Sequence, residues 1–384
     1  MSANASGGGR RKRIDDKPID VGDAQREVSR RRFLKYAGAS AAAIPAYGAM
    51  MDVLSENASA ATLKKNAHIA QFASHPKYKF VMVNHVTTNS FFTATQYGIA
   101  DACALIGCTS QWTGSTNSIT GQMVAAMNSA IAAKANGIGV CLIDNTAFNS
   151  PVDKALSAGI PVIAYNADVS PGTKNNRLAY VGQNNLTAGA AIGAEILKLG
   201  VKKGDLVAGI IATPGTGNIQ PRLDGAKPVL QKAGVNFVEV GTSATEGAPE
   251  YNKIQAWYAG HKDVKFMMAV DSGDSDAVAQ FIQKNKLKGK VGASVWDVGL
   301  PVCQAINAGY VSTTVDQQAY LQGFDTIMQL FLYNVSGGLM KPTNTDTGLG
   351  IVTKANVKPY LATNRFEGTS SAAKTLSPPS KIGY

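Results

Sequence analysis

Lys79-Phe80-Val81-Met82-Val83-Asn84, then the amphipathic stretch Phe92–Leu105, then a second short run at Thr109–Thr113, is the segment whose reading decides the fold class. A short β-branched apolar run, a helix-length segment with one apolar face and another short run make a βαβ unit, whose two strands lie parallel. The pattern then repeats along the chain. Strand-like runs recur at Gly139–Ile143, Pro161–Tyr165, Leu178–Val181, Leu206–Ala212, Asn236–Val240, Phe266–Val270, Val291–Val295 and Ser312–Val315. Helical patterns fall between them at Ile119–Ala135, Ser150–Ala158, Ala188–Leu199, Gln220–Ala233, Tyr251–Ala259, Asp276–Lys286, Leu300–Ala308 and Tyr320–Val335. Glycines at 107, 137, 159, 200, 234 and 309 stand where a helix would stop.

So many strands would overfill one open sheet with helices on both faces; two smaller sheets of five or six strands suit the length better. The expected fold is therefore α/β, with two lobes, each a mainly parallel sheet flanked by helices. Candidate crossings are the Gly-Gln-Asn-Asn stretch at 182–185, the polar Asp316-Gln317-Gln318, and a third around Lys341–Gly348 before a last apolar run, Leu349–Thr353. These boundaries give a first lobe of 61–182 plus 318–341, a second of 183–317 plus 342–366, and an extended tail over 367–384.

Composition narrows the function classes. The 384 residues are 45% hydrophobic and only 16% charged, with 39 glycines, which excludes a disordered chain. The net charge of +11 is thinly spread, with +3 on residues 1–60 and +8 on the rest. Without a run of like charges it reads as a solvated surface and not as a nucleic-acid stripe. No uninterrupted apolar stretch is long enough for an ordinary membrane span.

Residues 1–60 read as an export address. Ser29-Arg30-Arg31-Arg32-Phe33-Leu34-Lys35 has the form of a twin-arginine motif. An alanine-rich stretch to about Leu54 follows, and Ala58-Ser59-Ala60 offers the small residues of a cleavage site before Ala61. The mature protein is expected to be exported already folded, to a periplasmic or other extracytoplasmic compartment. Cys103 and Cys108 are spaced so that they can either bridge there or remain buried thiols; Cys141 and Cys303 read as small core residues.

In open α/β sheets ligands bind beyond the carboxyl ends of the strands. The first run leads into Asn89-Ser90-Phe91-Phe92, the second ends at Trp112, and the fourth at Tyr165-Asn166-Ala167-Asp168. The Leu206 run leads to Gln220 and Arg222, and later runs end at Asp271, Trp296-Asp297 and Gln317. Carboxylates and amides match the vicinal hydroxyls of a sugar or polyol, and aromatic faces cover its C–H side. Each such residue alone is also an ordinary turn, cap or core residue; the recurrence over many strand ends is the argument.

The chain resembles the periplasmic sugar-binding proteins of the ribose/galactose-binding type, the soluble receptors of ABC importers. Thr88-Asn89-Ser90-Phe91-Phe92 with Gly98, Ala158-Gly159-Ile160-Pro161-Val162-Ile163 and Val295-Trp296-Asp297 carry the resemblance. Gln111-Trp112-Thr113-Gly114 and the stretch at 347–356 look most like the branch that binds rhamnose and related ligands. The resemblance implies the type I periplasmic binding protein fold: two Rossmann-like lobes joined by a three-segment hinge and closing on one ligand. It implies sugar contacts from Asn89, Phe91 or Phe92, Asn166, Asp271, Asp297 and Gln317. It also shows a departure: Ala167 and Gln220 stand where relatives of the ribose type carry arginines.

The expected function is a monomeric solute-binding protein with no cofactor, metal or nucleic acid. It would capture a neutral monosaccharide or polyol by hinge closure and hand it to a membrane permease. The alternatives are an exported carbohydrate-modifying enzyme and a sugar-responsive transcription regulator. His68, His75, His85 and His261 lack metal-ligand spacing and read as surface or structural residues, and Gly215-Thr216-Gly217-Asn218-Ile219-Gln220 lacks the third glycine of a dinucleotide fingerprint.

Overall fold

The computed structural model describes residues 74–242, 248–362 and 365–366. The export signal read in residues 1–60 and the tail at 367–384 lie outside the described residues.

The first sheet is built from β1 (Lys79–Asn84), β2 (Thr109–Gly114), β3 (Gly137–Val140), β4 (Val162–Tyr165), β5 (Ala179–Gly182) and β11 (Thr345–Asp346), in the order β11-β5-β4-β3-β1-β2. All of its pairings are parallel. Helices α1 (Phe92–Ile106), α2 (Thr120–Ala132), α3 (Asn149–Ser157) and α9 (Ala319–Val335) complete this lobe. The second sheet has β6 (Leu206–Ile211), β7 (Asn236–Gly241), β8 (Val264–Ala269), β9 (Gly292–Trp296), β10 (Thr313–Asp316) and β12 (Gly350–Thr353), in the order β12-β10-β9-β8-β6-β7. Only β12 runs antiparallel, against β10. Its helices are α4 (Asn185–Lys198), α5 (Gln220–Lys232), α6 (Ala248–Gly260), α7 (Ser272–Lys284) and α8 (Leu300–Ala308). None of the helices among the described residues is long and apolar enough to cross a membrane.

The central strands are apolar on both faces, β3 and β4 being buried throughout, because helices cover both sides of the sheet. Each lobe has its own core. In the first, Phe80, Met82, Ile138 and Ile163 meet Leu330 and Phe331 of α9. One helix pair in each lobe packs backbone to backbone. A Cβ on Gly98 of α1 would sit 2.1 Å from the Tyr320 carbonyl of α9, and one on Gly225 of α5 would sit 2.1 Å from that of Leu186 in α4.

The element types follow the sequence pattern; some ends do not. Gly137 does not terminate α2. Lys134 takes the left-handed conformation there, with φ of 52°, and Gly137 opens β3. It is a strand residue because a Cβ would press on Leu330 and Phe80 at about 3.0 and 3.1 Å. Helix α7 starts four residues before the expected Asp276, since the Asp271 carboxylate caps it by accepting from the Asp274 N–H. The third crossing also lies later than expected. Strand β11 at Thr345–Asp346 pairs with β5, so the boundary drawn at 341/342 is corrected to the Thr347–Leu349 connection. Arg365 likewise pairs with Asp101 of α1, in the first lobe, although 342–366 was expected to belong wholly to the second. All four cysteines from 103 to 303 are buried free thiols.

Candidate functional site

The three crossings are stitched to one another. Gln183, after β5, donates to the Gly348 carbonyl at 2.8 Å, and the Thr347 hydroxyl donates to the Gln317 carbonyl at 2.8 Å. The Trp296 indole N–H, at the end of β9, reaches Gln183 Oε1 at 3.0 Å. In front of this hinge a cavity of about 650 Å³ opens between the carboxyl ends of the two sheets. A volume of this size falls within the usual range of small-molecule sites.

The first lobe contributes amides and rings. Asn89 spends Oδ1 on the Phe91 N–H and donates from Nδ2 to the Ser272 hydroxyl of the opposite lobe at 3.2 Å. Phe91 and Phe92 both line the cavity, although Phe92 is largely core, 1% exposed and edge-on to Phe91. Asn166 follows β4 with φ of 61°, a conformation asparagine tolerates, and donates to Gln322 Oε1 of α9 at 3.0 Å.

The second lobe contributes charge. Asp297 follows β9 with φ of 70° and accepts from Gln317 Nε2 at 2.7 Å. Burial raises its carboxyl to about 6, although Arg222 and Gln317 both favour the ionised form. Asp271 accepts from the Ala212 and Asp274 backbone N–H groups at 3.0 Å each. Its neighbour Asp274 is fully buried, and burial together with Asp271 pushes that carboxyl far above the ordinary range. Asp274 is thus held as the acid at neutral pH, which leaves Asp271 next to a neutral group.

Arg222 neutralises this wall. It is 3% exposed and donates to Asn185 at 3.0 Å, to the Val270 carbonyl at 2.5 Å and to Gln317 Oε1 at 3.3 Å. Its guanidinium lies 5.1 Å over the Trp296 ring. The expected departure at Gln220 is therefore offset two residues further on, where a guanidinium does enter the cleft. Three of its five donors are engaged within the protein, so it braces the site more than it forms a fork for an anion.

Eight of the eleven residues read from the sequence line the cavity: Asn89, Phe91, Phe92, Asn166, Arg222, Asp271, Asp297 and Gln317. Trp112, Gln220 and Trp296 do not. Trp112 lies behind Phe92, with its N–H on the Thr87 carbonyl. Trp296 is wholly buried as the platform under Arg222. Gln220 points away, bonded to the Gly215 N–H, Asp224 and Glu239. The reason is common to all three: a strand-end residue alternates between cleft and core, and a helix's first residue can serve its own loop.

Sequence reasoning passed over His85, Asp144, Asn145, Ser272 and Asn218, which also line the cavity. The third strand's run ends at Ile143, so the strand-end rule applied there would have found Asp144 and Asn145. His85 directly follows β1; burial, then Arg222, lowers its imidazole to about 4.

Residues 80–336 match the family model described as a periplasmic binding protein domain. The chain belongs to the periplasmic binding protein family. It is 43% identical over 319 residues to the xylose/arabinose-binding protein XylF of Sulfolobus acidocaldarius, covering 80% of this chain and 79% of the relative. Among solved structures, an ABC transporter solute-binding protein from Burkholderia graminis in complex with D-arabinose superposes with a TM-score of 0.69 at 24% identity, covering 76% of this chain and 100% of that one. GanP, a glucose-galactose binding protein from Geobacillus stearothermophilus, gives 0.68 at 21% identity, over 74% of this chain and 100% of that one. The two six-stranded lobes are thus the type I periplasmic binding protein fold, and the cavity lies between them at the strand ends.

Proposed function

We propose that this chain is the extracytoplasmic solute-binding protein of an ABC importer, and that it takes a neutral monosaccharide, foremost a pentose such as xylose or arabinose. One observation carries the reading. Asn166, Gln322, Gln317, Asp297 and Arg222 form a continuous hydrogen-bonded floor from the first lobe, through the hinge, into the second. A ligand resting on it would bond both lobes at once only when they are closed, so binding would shift the population toward closure. The carboxylates of Asp271 and Asp297 suit paired hydroxyls, and Phe91 offers an apolar face for C–H groups. The XylF relative, named for xylose and arabinose, supports the choice of pentoses.

On this reading the closed monomer is what a membrane permease recognises, and no cofactor or metal takes part. Export follows the twin-arginine route with cleavage after Ala60, which the N-terminal sequence of the secreted protein checks. Titration calorimetry with D-xylose, D- and L-arabinose, hexoses and polyols tests the ligand. At least one pentose should bind at about micromolar affinity, near −8 kcal/mol, and be recovered chemically unchanged. Silence across the panel sinks the reading. A chemically altered sugar would point instead to a carbohydrate-modifying enzyme.

A further inference from the structure

We infer that His85 couples closure of the cleft to its own charge: as a neutral imidazole it ties the first lobe to Asn218 of the second, and as an imidazolium it lets go. The inference rests on the reading of the cavity as a closing ligand site. His85 is 6% exposed and stands edge-on to Phe92, with ring centroids 5.4 Å apart. Its Nε2 lies 3.4 Å from Nδ2 of Asn218. An amide nitrogen only donates, so with the Asn218 amide oriented this way Nε2 accepts and the ring proton is assigned to Nδ1. That Nδ1 is enclosed and, among the described residues, has no hydrogen-bond partner. An imidazolium must donate from both nitrogens. Here one faces an N–H and the other faces no acceptor.

The neighbouring charges act in the same direction. Arg222, from α5, is the cation that disfavours a second positive charge on the ring. Cys141, directly after β3, is held as a neutral thiol, with burial pushing it up to about 12. Asp144, Asp271 and Asp297 line the same cavity, but none of them bonds to the ring. Asn218 reaches His85 only while its loop is seated on the first lobe: a Cβ on the adjacent Gly217 would come within 2.9 Å of the Asp168 carbonyl. The closed form therefore favours the neutral ring. In an open form His85 would meet water and return toward its ordinary value of about 6.5. Because closure depresses this pKa, the support it lends to closure is complete above about pH 6.5 and is lost as pH falls toward 4.

NMR titration of the full chain tests this, ligand-free and again with saturating D-xylose or L-arabinose to hold the cleft closed, the His85 imidazole signal being identified by its loss in His85→Gln. In the sugar-bound form its midpoint should lie near 4 and should rise by about one unit in Asn218→Ala, whereas in the ligand-free form it should lie higher, toward about 6.5. A sugar-bound midpoint near 6.5, or one that neither the sugar nor Asn218→Ala moves, overturns the inference. With D-xylose or L-arabinose as probe, the wild type should lose roughly 30-fold more affinity between pH 7.5 and pH 5 than His85→Gln does. Equal losses also overturn it. If neither pentose binds at any pH, the pentose reading fails separately, and the same titration is read with whichever hexose or polyol of the calorimetric panel binds.

Discussion

The ends of β4 and β9 are the same piece of backbone in two lobes. Each strand finishes on a fully buried aromatic, Tyr165 or Trp296, and turns through a left-handed residue, Asn166 or Asp297. The N–H of that residue bonds to the next strand, at Val181 or Val315. The side chains differ: the first lobe presents an amide and the second a carboxylate beside a buried guanidinium. The scaffold is thus duplicated while the charge is not. One wall supplies amides and apolar rings, with Asp144 as its carboxylate on the cavity, and the other holds the carboxylates of Asp271 and Asp297 at fixed positions.

Removing the charge balance of the second wall should have the largest effect. Arg222→Ala leaves Asp297 buried without its cation and frees Asn185 and Gln317. It should cost about 3–5 kcal/mol of stability, read by chemical denaturation. Arg222→Lys should recover little of this, because an ammonium cannot span the same three acceptors.

Gly217→Val tests whether the two walls must meet. A side chain there collides with the Asp168 carbonyl on closure only, so sugar affinity should fall about 100-fold, near 3 kcal/mol. The ligand-free melting temperature should stay in place. A variant that binds normally would show that the cleft works without this contact.

Making the second wall resemble the first, Asp297→Asn should weaken binding by about 1–2 kcal/mol in calorimetry at pH 7.5. In the wild type, affinity should also drop as pH falls through about 6, because the carboxylate that accepts hydroxyl bonds becomes protonated. That share of the drop should vanish in Asp297→Asn. Stability should move in the opposite sense. A folded-state value raised above the ordinary one means that Asp297 ionised is a burden, relieved as pH falls from about 6 toward 4.

The smallest effect belongs to Trp112→Phe. Trp112 supports Phe92 from behind, so affinity should change by less than about threefold, within 1 kcal/mol. A larger loss would place Trp112 in contact with the sugar.

The strand-end rule picked out Asn89, Asn166, Asp271 and Asp297, which line the cavity, because the topology brings the carboxyl ends of parallel strands to one edge. It failed for Trp112 and Trp296. Whether an aromatic at a strand end faces the cleft or lies under it depends on the pleat and on which neighbour covers it. It missed His85, whose spacing to other ligand types says nothing, since its partner Asn218 lies 133 residues away. It also split the lobes at least five residues too early, because a two-residue strand such as β11 has no pattern of its own.

From its residues alone the chain was committed to parallel α/β units, to two lobes and to a polar set of strand ends, since periodicity and strand-end chemistry are local properties. Which of those side chains meet, how Arg222 sits against a wall of carboxylates and what encloses the ring of His85 were decided by the fold. Those are matters of distance and burial between segments far apart in the chain, and no local pattern encodes them.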